Sequence, residues 1–339
     1  MLDIKAVINR VVDGVNLEIP EMEEVFNFIM GGEATPSQIA SFITAMRMKG
    51  ETVDEITGAA RIMRKFAAKI KVENPENTID TCGTGGDRSH TFNISTVSAI
   101  IAASCGIPVA KHGNRSVSSS CGSADVLSQL GVNLEINTDK VSECISQAGI
   151  GFLFAPMLHS SMQYAIGPRK EIGIRTIFNL LGPLTNPANA QRQVMGVFDS
   201  RWVKPLAAVL QNLGSIKVMV VHGSDGLDEI TTTDKTFVCE LSDNKLKEYE
   251  IDPQKYGLSY ARHEDLLGGD AARNAEIVTG ILSGEKGHKR DIVLLNAAAA
   301  VYVSGKAKDL KEGDKIEAAA IDSGKSKKTL EALIKVSRS

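Results

Sequence analysis

The 339-residue sequence predicts an α/β protein: a small N-terminal all-helical domain, then a large α/β domain with a mostly parallel central sheet flanked by helices. Three observations carry that reading. The first seventy or so residues show helical periodicity only. After them, apolar strand-like runs alternate with amphipathic helical ones. The loops that follow the strand-like runs hold glycines, hydroxyls and charges, as ligand-binding loops of parallel sheets do.

Taken in order, Thr35-Pro36-Ser37-Gln38 reads as a capping box, with Pro36 at the first helical position and Ile39, Phe42, Ile43 and Met46 following at helical spacing. Thr52 and Glu55 repeat the device ahead of Ile56, Ala60, Met63 and Ala67. Residues 71–78 are polar and contain a proline, so they read as a linker. This sets domain boundaries at 1–72 and 73–339. Short "TID" (78–80), then 107–113, 150–156 and 215–223 read as buried strands; 123–131, 139–149 and 202–214 read as helices between them. Residues 230–251, rich in threonine and β-branched side chains, suit an antiparallel addition to the sheet. The alanine content of 291–305 favours a buried helix.

Composition narrows the function. With 43% hydrophobic and 23% charged residues the chain is ordinary for a globular protein, and a net charge of -3 argues against a general nucleic-acid or membrane-surface binder. No apolar run is long enough to cross a bilayer, and the first residues lack a signal peptide's pattern, so a cytoplasmic location is expected. The five cysteines form no C-x-x-C, and the six histidines show no metal spacing; small buried fillers account for the thiols.

Four loops carry chemistry. Residues 80–100 join a short strand to a helix through Gly83, Gly85 and Gly86, where backbone N–H groups and a helix N-terminus favour phosphate and Ser95 and Thr96 add hydroxyls. Taken alone, a glycine turn with ordinary caps explains that stretch equally well. Residues 111–125 combine Lys111, Asn114 and Arg115 with a run of serines, pointing to an oxyanion-binding loop. Asp228 and Glu229 follow the clearest strand; paired carboxylates beside a phosphate site suit Mg²⁺, whereas in isolation they are a solvated acidic turn. Residues 167–187 place Arg169, Lys170 and Arg175 on a helical pattern, where an arginine can fork onto a carboxylate or simply face solvent.

Together the stretches 83–87, 93–96, 111–119, 122–125, 175–187 and 226–230 resemble the anthranilate phosphoribosyltransferases, members of the nucleoside-phosphorylase-like (type III) phosphoribosyltransferases, over essentially the whole chain. His159-Ser-Ser-Met162 stands where relatives often carry His-Pro-Ala-Met. The resemblance implies transfer of the phosphoribosyl group of phosphoribosyl pyrophosphate to anthranilate, in tryptophan biosynthesis. It implies that Gly83, Gly86, Asp87, Thr91, Asn93, Ile94, Ser95, Thr96, Lys111, His112, Gly113, Asn114, Arg115, Ser116, Val117, Ser118, Ser119 and Ser123 bind the donor. Gly83, Asn114 and Arg169 would meet anthranilate, Arg169 near its carboxylate. Ser95, Asp228 and Glu229 would bind two Mg²⁺ ions per subunit. It further implies a homodimer formed through the helical domain, with residues 160–185 packing on that domain.

Residue chemistry agrees with this assignment. A multiply charged anion meets helix-end amides, cations and metal, and no nucleophile is in evidence. Anthranilate's amine is neutral at pH 7, so no general base is nominated; His112 reads better as a residue that orders its loop than as a late proton acceptor. Two rivals stand against it: a pyrimidine-nucleoside phosphorylase of the same fold, and a non-enzymatic nucleic-acid-binding relative. The acid pair and Lys111–Asn114 disfavour the first, the intact glycine loop and negative charge the second.

Overall fold

The computed structural model describes residues 2–115 and 121–339. The chain opens with α1 (Ile4–Val12), α2 (Ile19–Met30), α3 (Pro36–Lys49) and α4 (Val53–Phe66). Both capping boxes form: Gln38 N and Glu55 N donate to Thr35 Oγ1 and Thr52 Oγ1, while Gln38 Oε1 and Glu55 Oε2 accept from Thr35 N and Thr52 N. Ile39, Phe42, Ile43 and Met46 of α3, and Ile56, Ala60 and Met63 of α4, are buried as their spacing requires.

The α/β part follows as β1 (Ile79–Asp80), α5 (Ile94–Ser104), β2 (Val109–Gly113), α6 (Ser123–Gln129), α7 (Thr138–Ala148) and β3 (Ile150–Phe154). Next come the short α8 (Ala155–Leu158), α9 (Gln163–Ile172), the short α10 (Phe178–Leu181), β4 (Arg192–Gly196), α11 (Val203–Asn212), β5 (Lys217–Gly223), β6 (Thr236–Ser242) and β7 (Lys245–Ile251). Four helices close the chain: α12 (Ala271–Leu282), α13 (His288–Ser304), α14 (Leu310–Asp322) and α15 (Lys325–Arg338).

The seven strands lie in the order β3-β2-β1-β4-β5-β6-β7. The first five are mutually parallel and the last two antiparallel, which agrees with the expected sheet class. Chain order runs outward from β1 to β3, then restarts on the other side of β1 with β4. The order of the strands therefore reverses between the parallel β1 and β4, and a crevice for ligands opens beyond the carboxyl ends of those two strands.

Each sheet face has its own core. On one face Ile100, Val194, Met219 and Val221 pack with the nearly all-buried α13. On the other, Met195, Val218 and Val220 join Phe26, Phe42 and Ile56 of the helical domain in one continuous cluster. Ala165 and Phe178 belong to that same cluster, and α9 packs against α2 and α3. The helical domain thus forms a layer on this face of the sheet.

Candidate active site

The glycine loop leaves β1 at the crevice. Gly86 has φ +81°, a left-handed conformation that a side chain would strain, and a Cβ there would lie 3.2 Å from Arg175 Nη2. The loop is tethered at successive residues. Thr84 N donates to Gly196 O at 2.9 Å and Thr84 Oγ1 accepts from Phe198 N at 3.0 Å. Gly85 N donates to Asp228 Oδ2 at 2.8 Å. Gly86 O accepts from Arg175 Nη2.

The amides at the start of α5 differ from the expectation of unpaired donors. Ser95 N donates to Glu229 Oε1 at 3.0 Å, Ile94 N to Phe92 O at 2.8 Å and Thr96 N to Asn93 O at 3.1 Å. The Ser95 amide is taken by the acid loop, whose Glu229 carboxylate reaches this helix end, while the Ile94 and Thr96 amides turn onto carbonyls of their own turn. Asn93 does not cap its own helix; its Nδ2 donates to Cys121 O at 3.1 Å and its Oδ1 accepts from Asn274 Nδ2 at 3.1 Å. Thr96 Oγ1 is buried without a hydrogen-bond partner among the described residues. Thr91 pairs with Leu267 in an isolated bridge, and Asp87 Oδ1 accepts from Ser89 N at 3.3 Å.

On β2 successive side chains alternate in direction, so Lys111 and His112 point to opposite faces of the sheet, and both are buried. Lys111, 2% exposed, donates from Nζ to Thr81 O at 2.6 Å and lies 3.4 Å from Ser95 Oγ. His112 is equally enclosed: its N donates to Asp80 Oδ1 at 3.1 Å, Nδ1 meets Gly182 O at 3.1 Å, and Nε2 meets His159 Nε2 at 3.1 Å. Burial and the neighbouring His159 pull the His112 imidazole down to about 3. It is a neutral, fully bonded ring that fixes its strand, not an available proton acceptor. Burial lifts Asp80 to about 6 against the pull of Lys111, and Asn186 Nδ2 donates to Asp80 Oδ2 at 2.7 Å behind it.

Beyond β2, Asn114 is exposed and its carbonyl accepts from Ala124 N and Ser123 Oγ, closing the loop back onto α6. Gly113 is packed so tightly that a Cβ would lie 2.4 Å from Ser123 Oγ. Arg115, expected as an anion-binding cation, forms an ion pair with Asp125 at 3.0 Å, because the acid that caps the start of α6 lies within its reach. Ser116, Val117, Ser118 and Ser119 lie outside the described residues.

Asp228 and Glu229 are not a solvated turn. A knot of bonds around Asp225, which accepts from Leu227 N at 3.1 Å and Thr231 Oγ1 at 2.8 Å, bends the chain after β5. Asn296 of α13 clamps the far side, accepting from Ile230 N at 2.9 Å and donating to Ile230 O at 2.8 Å. Close passage over β4 is possible because residue 196 is glycine: a Cβ there would sit 1.5 Å from Asp228 O. Burial, then Asp87 and Glu229, push Asp228 well above the usual carboxyl range, and burial lifts Glu229 to about 7 against the pull of Lys111. Negative charge is thus crowded where, among the described residues, Lys111 is the cation that offsets it, a donor set that suits a hard divalent cation. Among the described residues no three His, Cys, Asp or Glu side chains converge on one point. Ser95, water and substrate oxygens would complete the shell, as is usual for Mg²⁺.

Arg169, on α9, is half-buried with its guanidinium 5.1 Å from the centre of the Phe178 ring, and burial lowers its pKa. The helical reading of 167–187 holds for Arg169 and Lys170 only. Gly173, at φ +63°, ends α9, and Arg175 lies in the extended link before α10. Sequence reasoning also missed β4, Gly196, Phe198, His159, Asn274 and Asn296. A glycine after "RQVM" was the one local signal for β4's role.

Comparison with known proteins adds a second line of evidence. The glycosyl transferase family's helical bundle domain matches residues 5–67 and its a/b domain residues 75–327. The anthranilate phosphoribosyltransferase of Acetivibrio thermocellus is 54% identical over 336 residues, covering 99% of this chain and 97% of its own. That of Citrifermentans bemidjiense is 55% identical over 344 residues, covering 98% of each. Among solved structures, anthranilate phosphoribosyltransferase from Thermus thermophilus superposes with a TM-score of 0.93 at 40% identity, over 98% of this chain and 99% of that one. The enzyme from Saccharomyces cerevisiae in complex with PRPP and Mg superposes with a TM-score of 0.90 at 26% identity, over 99% and 98%.

Proposed function

The chain belongs to the anthranilate phosphoribosyltransferase family, and from that premise we infer how its own residues carry the reaction. It transfers the 5-phosphoribosyl group of phosphoribosyl pyrophosphate to the amine of anthranilate, giving N-(5-phosphoribosyl)anthranilate and pyrophosphate, a step of tryptophan biosynthesis. The observation that carries the assignment of roles is the meeting of Asp228 with Gly85 N and of Glu229 with Ser95 N at the sheet's switch point.

In this reading the donor lies against the main chain of Gly83–Asp87 and the start of α5, with Thr91 and Asn93–Thr96 beside it and the loop from Lys111 to Ser119, with Ser123, around its phosphates. Gly83, Asn114 and Arg169 receive anthranilate; the Arg169 guanidinium, already desolvated over Phe178, is placed to fork onto the carboxylate. Ser95, Asp228 and Glu229 hold two Mg²⁺ ions per subunit. When bound, Mg²⁺ neutralises charge on the departing pyrophosphate.

The protein's share is positional. Lys111 holds the Ser95 hydroxyl and the β1 exit together, so the donor's cradle is preset. Anthranilate's amine carries a free lone pair at neutral pH, so attack needs orientation more than deprotonation, and fixing both reactants supplies a large part of the acceleration. His112 contributes by anchoring β2, its ring nitrogens being engaged by Gly182 O and His159. A homodimer through the helical domain fits the exposure of Val12 (66%) and Met48 (83%) on its surface, and a cytoplasmic location fits the absence, among the described residues, of any helix long and apolar enough to cross a membrane.

The test is direct. Anthranilate fluorescence should fall when the protein meets phosphoribosyl pyrophosphate and Mg²⁺ together, and stay constant when EDTA replaces the metal. Constant fluorescence with all components present, or phosphorolysis of thymidine or uridine that survives EDTA, would overturn the reading.

A further inference from the structure

Arg175 has no role in the scheme above, yet it reaches the tip of the glycine loop. Gly173 terminates α9 in the left-handed region and Thr176 N is tied to Asn179 Oδ1 at 2.9 Å, so Arg175 sits on a short link anchored at both ends. Its Nη2 donates to Gly86 O, and its guanidinium carbon Cζ lies over the Phe198 ring, 4.2 Å from the ring centre. Phe198 is itself part of the cradle, since its N–H donates to Thr84 Oγ1 at 3.0 Å. Three consecutive loop residues are therefore held from three elements: Thr84 by the exit of β4, Gly85 by the acid loop after β5, and Gly86 by the exit of α9.

Gly85 and Gly86 both have positive φ and carry no side chain to limit their motion. A loop of this kind loses more freedom on ordering than any other sequence would, and a ligand that must order it binds more weakly. Thr84 and Gly85 are fixed through their N–H groups and Gly86 through its carbonyl, so without the last contact the Gly86–Asp87 peptide is free to rotate. A guanidinium can stack by its face and donate by its edge at the same time; an ammonium cannot.

We propose that Arg175 is a positioning residue for the donor: stacked on Phe198, it holds the Gly86 carbonyl and so sets the backbone against which the diphosphorylated ribose lies. The proposal rests on the placement of the donor given above. It assigns to Arg175 no contact with the reacting atoms.

The experiment compares wild type with Arg175→Ala, Arg175→Lys and Phe198→Leu. Steady-state constants for both substrates come from anthranilate fluorescence, binding of Mg²⁺–phosphoribosyl pyrophosphate from calorimetry, and thermal midpoints from scanning. Arg175→Ala should raise the donor KM and Kd on the order of tenfold, the size expected for one charge-assisted hydrogen bond, with kcat and the anthranilate KM little changed. Arg175→Lys should not rescue it, because charge without the planar stack does not hold the carbonyl. Phe198→Leu should give a smaller rise in the same constant. The midpoint should stay near wild type, since Arg175 and Phe198 are only half-buried.

Wild-type donor affinity in Arg175→Ala overturns the proposal, as does full rescue by lysine. Equal weakening of both substrates with a lowered midpoint overturns it too, in favour of general loosening. Wild type serves as the separating control: if it does not turn over anthranilate, the functional reading fails, whereas turnover by wild type with an unaffected Arg175→Ala defeats only the role given to Arg175. Should Arg175→Ala fail to fold, the lysine and Phe198→Leu variants read the same constant.

Discussion

His112 and His159 meet nitrogen to nitrogen, Nε2 to Nε2 at 3.1 Å, with their ring centres 5.1 Å apart. His112 Nδ1 faces the Gly182 carbonyl, which can only accept, so that nitrogen carries a proton and His112 Nε2 is the acceptor. His159 must then donate from Nε2. The bond survives a proton on His159 Nδ1 but not one on His112 Nε2, which would set two N–H groups against each other. Here β2, which bears Lys111, is locked to the segment after α8 by a bond that protonation of His112 breaks.

That bond predicts acid lability of a defined sign. Burial and the neighbouring ring depress His112 to about 3, and burial depresses His159 to about 4, so the unfolded chain takes up protons below its ordinary histidine pKa that the native state refuses. Stability present at pH 7.5 should therefore fall as pH drops through 6.5, by roughly 2 kcal/mol per histidine at pH 5. Asp80, lifted to about 6 by burial, works in the opposite direction over nearly the same range, so the net slope alone is not diagnostic. His159→Gln isolates the effect: glutamine can still donate to His112 Nε2 but does not titrate, while Asp80 is common to both proteins. The variant should lose less stability than wild type between pH 7.5 and 5 in urea unfolding. Parallel pH profiles would rule the account out.

Gly196→Ala should disable the acid pair from behind. The added methyl would stand 1.5 Å from Asp228 O, so either β4 or the acid loop must shift by more than an ångström. A displacement of that size at the proposed metal-binding acids should cost on the order of 100-fold in rate. The expected phenotype is a large drop in kcat/KM together with a higher Mg²⁺ concentration for half-maximal rate. Unchanged metal dependence would show that the loop tolerates the shift.

Much of this architecture is legible in the sequence, and the legible part is local. Capping boxes at Thr35 and Thr52, the glycine turn before α5 and the acids after β5 are each written within a few consecutive residues. β4 was not legible because its burial is not carried by apolar side chains alone: Gln193 is 4% exposed yet satisfied by Pro183 O, and Arg192 is bonded to Glu76 O and Val303 O. Gly196 reads as an ordinary strand end until Asp228 is seen crossing it. Asn274, and the contact that Arg175 makes, were invisible for a different reason, the partners lying 181 and 89 residues away. Arg115 shows the converse, a cation of the right type whose nearest partner is the acid capping α6.

Glu317 predicts a stabilising substitution. It is fully buried on α14, and among the described residues neither carboxyl oxygen has a hydrogen-bond partner. Burial, with Asp314 nearby, pushes its pKa well above the usual range. Since the native state retains a proton that the unfolded chain releases, the cost of this residue grows as pH rises above the ordinary glutamate range. Glu317→Met, similar in size and apolar, should raise the stability by about 1–3 kcal/mol at pH 8 and by less at pH 5. A variant no more stable than wild type at pH 8 would mean that the carboxyl is satisfied by internal water.

Asn274 ties the start of α5 to α12, 181 residues further along the chain. Its orientation is fixed by its partners: Gly269 N can only donate, so Oδ1 faces it at 2.8 Å and Nδ2 is left for Asn93 Oδ1 at 3.1 Å. Cys121 O likewise can only accept, which turns Asn93 Nδ2 toward it and confirms the same arrangement from the other end. The chain Gly269–Asn274–Asn93–Cys121 thus keeps Asn93 from folding over the end of α5, where the donor is proposed to lie, and fixes the point at which the loop from β2 rejoins α6. Asn274→Ala removes both bonds from a residue 1% exposed and should cost about 1–3 kcal/mol of stability along with a raised donor KM. Asn274→Asp keeps the acceptor for Gly269 N but sets a carboxylate oxygen against Asn93 Oδ1, so it should raise the donor KM with a smaller loss of stability. The comparison separates the two bonds, and an aspartate variant with wild-type donor KM would remove Asn93 orientation from the account of donor binding.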